Sequence, residues 1–442
     1  MRHGRGGKKE RLYPYRPICD WLLDLPPEML VRIFMHCPRG DLVRISQCNK
    51  LCYNLVVNFL CQYFQINWWS ITARHVIQPR LPNLRYAQCL VFQTSDNPFD
   101  EGPAWAEVDT NYAHVLRFCD KQKLKTLHLG KNKMTDAVFE WTLERFGGTL
   151  ESLKLDKCSE LTTKSLSTLG DLCCVQTLHI SACGITDADV LSLTRLQCLH
   201  DLSIVLCPKI TNKSLEYISG MFTLRRLHYA EYGILNPHGF ECLAHLCDLE
   251  VLDIGGCLIG KDDFIRVMSN LKKLSVLNVG SIIINEEELT CISHLRALTR
   301  LGLSGCNIMD EELVCLHALK SLNTLDLSWH NDISDAGLVL ISRMDSLHAL
   351  SLKFCNKVTD DGIRLLEGLS QLRVLDISVC ELLTDLCLVY IGTFPSIRVL
   401  YCTECAGITE VGEHRLRALR NEICFEDGDF ELEDAVNLAA YK

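Results

Sequence analysis

A leucine pattern that returns at a nearly constant interval constrains the fold of this chain more than any other feature. The pattern is leucine, two residues, leucine, one residue, leucine, and its twelve copies start 24 to 26 residues apart. The copies start at Leu124, Leu150, Val175, Leu199, Leu224, Leu249, Leu274, Leu298, Leu322, Leu347, Leu372 and Ile397. A period of this length predicts a stack of like units, none of which can bury its core alone.

Each unit is predicted to contain one strand and one helix. The leucines alternate with other residues, so they point into the stack while the intervening side chains face outward. A helix-start signal follows, as in Ile185–Asp187 and Val358–Asp360, where Thr caps the free amides and Asp suits the positive helix end. The fold class is therefore α/β: a solenoid of about twelve repeats, with a parallel sheet on the concave face and helices on the convex face.

The cysteines follow the same period. Of the 25 cysteines, eight lie three residues beyond the last leucine of a copy, at Cys158, Cys183, Cys207, Cys257, Cys306, Cys355, Cys380 and Cys405. A small side chain fits the inner turn of a coil, so packing explains most of them. Neither a secretory signal nor an apolar stretch of bilayer length is visible, which favours reduced thiols and a place in the cytoplasm or the nucleus.

The repeat pattern resembles the cysteine-containing class of leucine-rich repeats over about residues 120–412. The solenoid is expected over residues 124–420. Residues 69–123 are less regular and are expected to form a linker and the N-terminal cap of the solenoid.

A second motif lies ahead of the repeats, within residues 19–68. Leu25–Leu30 is followed by Ile33-Phe34 and Asp41-Leu42, and two prolines at the start favour a new helix. Leu30, Ile33 and Phe34 form an apolar stripe at helical spacing, which so small a helical cluster cannot cover by itself. This segment resembles an F-box. The alternative is an ordinary helical cap that packs only on the solenoid.

The resemblance implies a function and its partners. F-box proteins of this kind bind a Skp-type adaptor, which joins them to a cullin and a RING subunit, while the repeats hold a protein substrate. Carried over by motif, the adaptor-facing residues are Leu25, Pro26, Glu28, Leu30, Ile33 and Phe34. The implied function is that of a non-catalytic substrate receptor in a ubiquitin ligase. The alternative is a scaffold or sequestering protein without ligase activity.

Outward-facing strand residues are the candidate substrate contacts. Among them Trp329, Phe354 and Tyr401 are aromatic, and exposed aromatic side chains are preferred anchors of protein interfaces. The alternative is that they pack on one another or on the C-terminal tail. The first half of the solenoid offers polar outward residues instead, at His128, Lys154, His179, Arg226 and His228.

Both termini are charged. Residues 1–18 are basic and expected to be disordered, with nuclear import or nucleic-acid binding as the alternative. Residues 421–442 are acidic and expected to cap the last repeat or to stay solvated; alternatively they fold back into the concave face near Arg226 and Arg300. The net charge of −10 gives no general attraction to nucleic acid or to anionic membranes.

The sequence gives no sign of an enzyme, a metal site or a cofactor. Cys402 and Cys405 form a CxxC pair, but both fall on repeat positions assigned to the core, and no second pair follows. Gly255-Gly256 leads into Cys257 and does not form a phosphate-binding loop. No cysteine has the polar setting that activates a nucleophilic thiol.

Overall fold

The computed structural model describes the sheet and helices that follow the N-terminal segment. It describes residues 63–67, 87–93, 113, 115–130, 134–229, 239–426 and 430. The predicted tail of residues 1–18, and the F-box motif with it, lie outside this part of the chain.

A single parallel sheet runs through the described residues. Its fifteen strands lie in sequence order, so each strand pairs with the one before and the one after it. The strands are β1 Tyr63–Asn67, β2 Cys89–Gln93, β3 Thr126–Gly130, β4 Ser152–Asp156, β5 Thr177–Ser181, β6 Asp201–Val205, β7 Arg226–His228, β8 Val251–Asp253, β9 Val276–Asn278, β10 Arg300–Gly302, β11 Thr324–Asp326, β12 Ala349–Ser351, β13 Val374–Asp376, β14 Val399–Tyr401 and β15 Cys424–Phe425. Such an order is that of a solenoid.

The helices return the chain from one strand to the next. The α-helices are α1 Asp136–Phe146, α2 Thr163–Leu166, α3 Asp187–Leu193, α4 Asn212–Ile218, α5 Lys261–Asn270, α6 Glu286–Ser293, α7 Asp335–Ile341, α8 Asp360–Leu365, α9 Asp385–Ile391 and α10 Glu410–Leu419. Shorter 3-10 helices span Ser167–Asp171, Phe240–His245, Asp310–Ala318 and Leu366–Gly368. Among the described residues, no helix is both long and apolar enough to cross a bilayer.

The predicted α/β solenoid is confirmed. Strands β3 to β14 each begin two residues after a predicted start of the leucine pattern. The sheet also extends past both ends of that set. At one edge, β1 and β2 pair in parallel, from Tyr63 with Cys89 to Asn67 with Gln93. At the other edge, Cys424 of β15 pairs with Val399.

The leucines of the pattern form one continuous core. Leu347, Leu350 and Leu352 are fully buried, as are their counterparts in neighbouring repeats. Full burial of one such side chain contributes roughly 1.5–3 kcal/mol. The cysteines have a second role besides fitting the turn, because each thiol lies against a backbone carbonyl of the preceding repeat. The Sγ atom of Cys306 donates to the Val279 carbonyl at 3.1 Å, and that of Cys355 to the Leu327 carbonyl at 3.2 Å.

Acidic residues at helix starts join consecutive repeats. The Asp335 carboxylate accepts the backbone N–H of Thr359 at 2.9 Å and the Thr359 hydroxyl at 2.7 Å. We call this arrangement the carboxylate staple. It recurs between Asp136 and Thr162, Asp187 and Thr211, Asp310 and Ser334, Asp360 and Thr384, and Asp385 and Thr409. The staple fixes the spacing between the helix starts of adjacent units.

The staple also explains a glycine. Gly362 lies in the first turn of α8, where an added Cβ would sit 2.0 Å from Oδ1 of Asp335. No side chain fits at that distance. The close approach of the carboxylate therefore requires glycine there.

Candidate protein-binding surface

The outward residues of the strands form the concave surface in regular rows. Strand pairing puts His128 beside Lys154, Lys154 beside His179, His179 beside Ser203, and Ser203 beside His228. Five side chains from β3 to β7 thus follow one another across the sheet, at the roughly 4.8 Å spacing of neighbouring strands. We call this row, with Arg226, the N-terminal concave surface.

The N-terminal concave surface is rich in neutral imidazole. Burial, with the charges of Lys154, His228 and His128, lowers the pKa of His179 from 6.5 to about 4. The pKa of His128 is lowered as well, first by burial and then by Lys154. Near neutral pH these rings therefore present one N–H donor and one nitrogen acceptor each. The ammonium group of Lys154, which is exposed, lies among them.

Carboxylates stand next to this row near the outer limit of ion-pair distance. His179 Nε2 lies 3.9 Å from Asp201 Oδ2, and His228 Nδ1 lies 3.7 Å from Asp253 Oδ2. Burial raises the pKa of Asp201, and among the described residues its Oδ1 atom has no hydrogen-bond partner. The three imidazoles of the row are partly exposed and Lys154 is exposed, so the row can offer polar groups to a protein partner.

At the other end of the sheet, one row of outward residues is apolar. Ala349, Val374 and Val399 lie side by side on β12, β13 and β14, because Ala349 pairs with Val374 and Val374 with Val399. Each is fully buried, and Tyr401 is 5% exposed. We call these four residues the C-terminal concave surface. The side chain of Phe430 packs against it.

A buried carboxyl group lies in the same region. Asp376 is 1% exposed, and its carboxylate accepts the Ser378 N–H at 2.9 Å and the Ser351 hydroxyl at 3.2 Å. Burial raises the pKa of Asp376 above its usual value, although these hydrogen bonds act in the opposite direction. A charged group is thus disfavoured at this end of the concave face.

The three aromatic residues predicted to bind substrate are not alike. Trp329 and Phe354 lie in the turns after β11 and β12, not on the strands, and their backbone φ angles of 63° and 60° are left-handed. Their rings stack with centroids 3.7 Å apart and 22° between the planes. Tyr401 does lie on a strand, but it is buried. The expectation of three exposed strand residues was therefore wrong, and their role toward a substrate stays a prediction.

The left-handed turn has a structural cause. The N–H of Trp329 donates to the Lys353 carbonyl at 2.7 Å, and the N–H of Phe354 donates to the Ser378 carbonyl at 3.0 Å. The turn directs each N–H toward the following repeat and so extends the ladder past the strands. The same turn leaves Trp329 57% exposed beyond the C-terminal end of β11.

Sequence reasoning missed the contact of Phe430 and the row that receives it. A signal was present: the first strand position is apolar in three consecutive repeats, at Ala349, Val374 and Val399, whereas in β3 to β7 it is polar. Phe430 packs on β12 to β14. The expected alternative, a tail near Arg226 and Arg300, stays a prediction, because residues 431–442 lie outside the described residues.

The thiols at the recurring repeat position are core groups, and Cys402 is buried with them. Burial raises the pKa values of Cys306, Cys355 and Cys402 to about 12. Cys402 and Cys405, which form the CxxC pair, are each 7% exposed. Within the described ranges, no three His, Cys, Asp or Glu side chains are grouped so that they could hold a metal ion.

Two family models match the sequence. The model of the F-box domain matches residues 22–61, and the model of the leucine-rich repeat matches residues 318–342. The sequence therefore carries an F-box domain ahead of leucine-rich repeats, as the resemblance implied. The matched repeat contains β11 and α7, which is one strand with its returning helix.

Two solved structures are similar to this chain at low identity. Rad7 in the yeast Rad7–Elc1 complex is 16% identical, with 81% of this chain and 93% of that chain covered and a TM-score of 0.46. An internalin from Listeria monocytogenes is 18% identical, with 71% and 89% covered and a TM-score of 0.43. A comparison with curated proteins finds no match.

The predicted adaptor-facing residues lie outside the described residues. They are Leu25, Pro26, Glu28, Leu30, Ile33 and Phe34, and all fall within the matched F-box domain. Their contact with an adaptor stays a prediction.

Proposed function

We propose that the chain is the substrate-recognition subunit of a Skp–cullin–F-box type E3 ubiquitin ligase, acting in the cytoplasm or the nucleus. The observation that carries this proposal is the F-box match at residues 22–61, directly ahead of a continuous repeat sheet. An F-box calls for a Skp-type adaptor. The sheet supplies a separate surface for a protein to be marked for degradation.

The adaptor would bind through an apolar helix face. Leu30, Ile33 and Phe34 share one side of the predicted helix, and Leu25, Pro26 and Glu28 precede them. Apolar side chains that lose contact with water on binding supply most of the affinity of such an interface. Through the adaptor, cullin and RING subunits would join the complex.

The repeats would hold the substrate at a fixed distance from the ubiquitin-transfer site. The fully buried leucines and the carboxylate staples join each repeat to the next, which favours a stiff arc. Holding a substrate lysine near the ubiquitin thioester raises its effective concentration there. The chain itself would perform no chemistry. The raised pKa values of its buried thiols suit a packing role.

Co-purification of the full chain from cells tests this function. Changing Leu30 and Ile33 together to Ala should lower the recovery of both adaptor and cullin about tenfold or more, because two apolar anchors of the interface are lost. The measurement is quantitative mass spectrometry of adaptor and cullin against the recovered chain.

The matched control changes an exposed apolar residue of the solenoid. Ile283 is 82% exposed, so Ile283→Ala should leave adaptor and cullin recovery unchanged. Cullin recovery that persists in the Leu30 and Ile33 variant would refute the F-box assignment. Adaptor recovered from the parent chain without cullin would replace the ligase with a scaffold that binds partners only.

A further inference from the structure

The C-terminal concave surface already has an occupant from the same chain. Ala349, Val374, Val399 and Tyr401 form an apolar cluster separate from the main core, and Phe430 packs against it. The main core lies on the other side of the strands, because Leu350, Leu375 and Leu400 point there. Phe430 therefore lies on the concave side, where a protein partner would have to approach.

Two repeats with the same strand sequence show how different the two ends of the concave face are. The strand sequence Val-Leu-Asp occurs at Val251–Asp253 and again at Val374–Asp376. The side chain of Asp253 is 26% exposed, whereas Asp376 is 1% exposed. The strand residues are identical, so the difference comes from their surroundings: Asp253 lies beside His228 and Asn278, whereas Asp376 lies beside Ser351 and Tyr401, where Phe430 packs. The concave face is closed at the repeats where Phe430 packs.

The chain is anchored directly before it reaches this surface. Cys424 and Phe425 add β15 to the edge of the sheet, and the N–H of Glu426 donates to the Leu400 carbonyl at 3.1 Å. Arg417 lies 4.2 Å above the ring of Phe425. Only three residues then lie between Glu426 and Phe430, and the four steps of up to roughly 3.5 Å each span about three strand spacings. This short tether gives Phe430 a high effective concentration at the cluster.

We propose that the segment around Phe430 is an internal ligand of the C-terminal concave surface, which is a docking site for an aromatic side chain. A partner that uses this surface must displace Phe430 and present an aromatic residue of its own. The second statement rests on the function proposed above, whereas the intramolecular contact does not. The tail thus raises the affinity that a partner needs in order to occupy this surface.

The test uses a labelled peptide with the sequence of residues 427–436 and the full chain in two forms. In the Phe430→Ala chain the site is open, so the peptide should bind at least about tenfold more tightly than to the parent chain, whose own tail competes. Fluorescence anisotropy measures both affinities. A peptide in which the residue corresponding to Phe430 is Ala should lose binding to the open chain.

A control variant and a proteolysis measurement complete the test. Phe222 is 68% exposed, so the Phe222→Ala chain should bind the peptide as weakly as the parent does. Cleavage by a glutamate-specific protease after Glu431 should be at least about fivefold faster in Phe430→Ala than in the parent, because a released segment is open to proteolysis. Equal peptide affinity for the two chains, or no binding to the open chain, refutes the internal ligand, as does equal cleavage. Neither assay contains adaptor or cullin, so a failed ligase assignment leaves these outcomes unchanged.

Discussion

The two ends of the concave face are built on the same backbone and carry different chemistry. Across β3 to β7 the outward row is polar: its imidazoles, lysine and arginine are at least partly open to water, and Ser203 is buried. On β12 to β14 the first strand position is apolar, with Ala349, Val374 and Val399, and the third holds Ser351, Asp376 and Tyr401. All six are buried, and Phe430 packs against the apolar members. The inward leucines are the same at both ends. A repeat fixes its core and leaves the outward positions free to vary, so one sheet can carry two unlike surfaces.

The difference between the two surfaces suggests a division of roles. An open row of neutral imidazoles and one lysine offers hydrogen bonds at once, without displacing anything. The apolar surface is reached only when Phe430 leaves. A partner that contacts both surfaces would have to displace Phe430 at the apolar end only. Its contacts at the polar end would keep it bound during that displacement.

The largest expected effect comes from placing a charge on each surface at the same strand position. Val374 is fully buried, so Val374→Asp should lower the free energy of unfolding by about 3 kcal/mol or more, because the new carboxylate loses its water. Thr126 begins β3 as Val374 begins β13, but it is only half-buried. Thr126→Asp should cost less than about 1 kcal/mol. Urea denaturation followed by circular dichroism measures both, and equal losses would remove the contrast between the surfaces.

An intermediate effect is expected from pH, with opposite signs at the two ends. The pKa of folded His179 is lowered from 6.5 to about 4, so between these values the unfolded chain binds a proton that the folded chain does not. Stability from this group is present above pH 6.5 and falls on acidification to pH 4, by on the order of 1–3 kcal/mol. The pKa of folded Asp376 is raised above 3.8, so its folded carboxyl protonates first and stability rises as the pH falls through that pKa.

Single substitutions separate the two pH effects. His179→Asn should reduce the loss of unfolding free energy between pH 7 and pH 4.5, and Asp376→Asn should make that loss larger, because it removes the opposing gain. Urea titrations at both pH values provide the measurement. A His179→Asn chain with the same pH dependence as the parent would show that this imidazole titrates normally in the folded state.

The smallest change in unfolding free energy is expected at the exposed Trp329, in the turn after β11. Trp329→Gly removes the stack with Phe354, which contributes about 0.5–1.5 kcal/mol, but glycine accepts the left-handed φ of 63° without strain. The two terms nearly cancel, so the unfolding free energy should change by less than about 1 kcal/mol. Thermal denaturation checks this. A larger loss would place Trp329 in a structural rather than an interface role.

The sequence alone located the strands, but it did not predict which residues pack on their outward face. Period and leucine spacing located β3 to β14, since every one of these strands begins two residues after a predicted start. The burial of Tyr401 could not be predicted, because the cluster that contains it receives Phe430, which belongs to no repeat. The pairing of Asp335 with Thr359 was also missed: Thr359 was identified as a helix-start residue, but the contact joins residues 24 apart and needs the stacking geometry.

The carboxylate staple gives the solenoid a direction. The acceptor always belongs to the earlier unit and the donors to the later one, from Asp310 with Ser334 through to Asp385 with Thr409. During synthesis, each new repeat therefore finds the carboxylate acceptor already present on the preceding repeat. Deleting a repeat from the N-terminal end leaves the helix start of the next repeat without its carboxylate acceptor. Deleting a repeat from the C-terminal end leaves only an aspartate side chain in contact with water. The two ends of the chain are not equivalent places to shorten it.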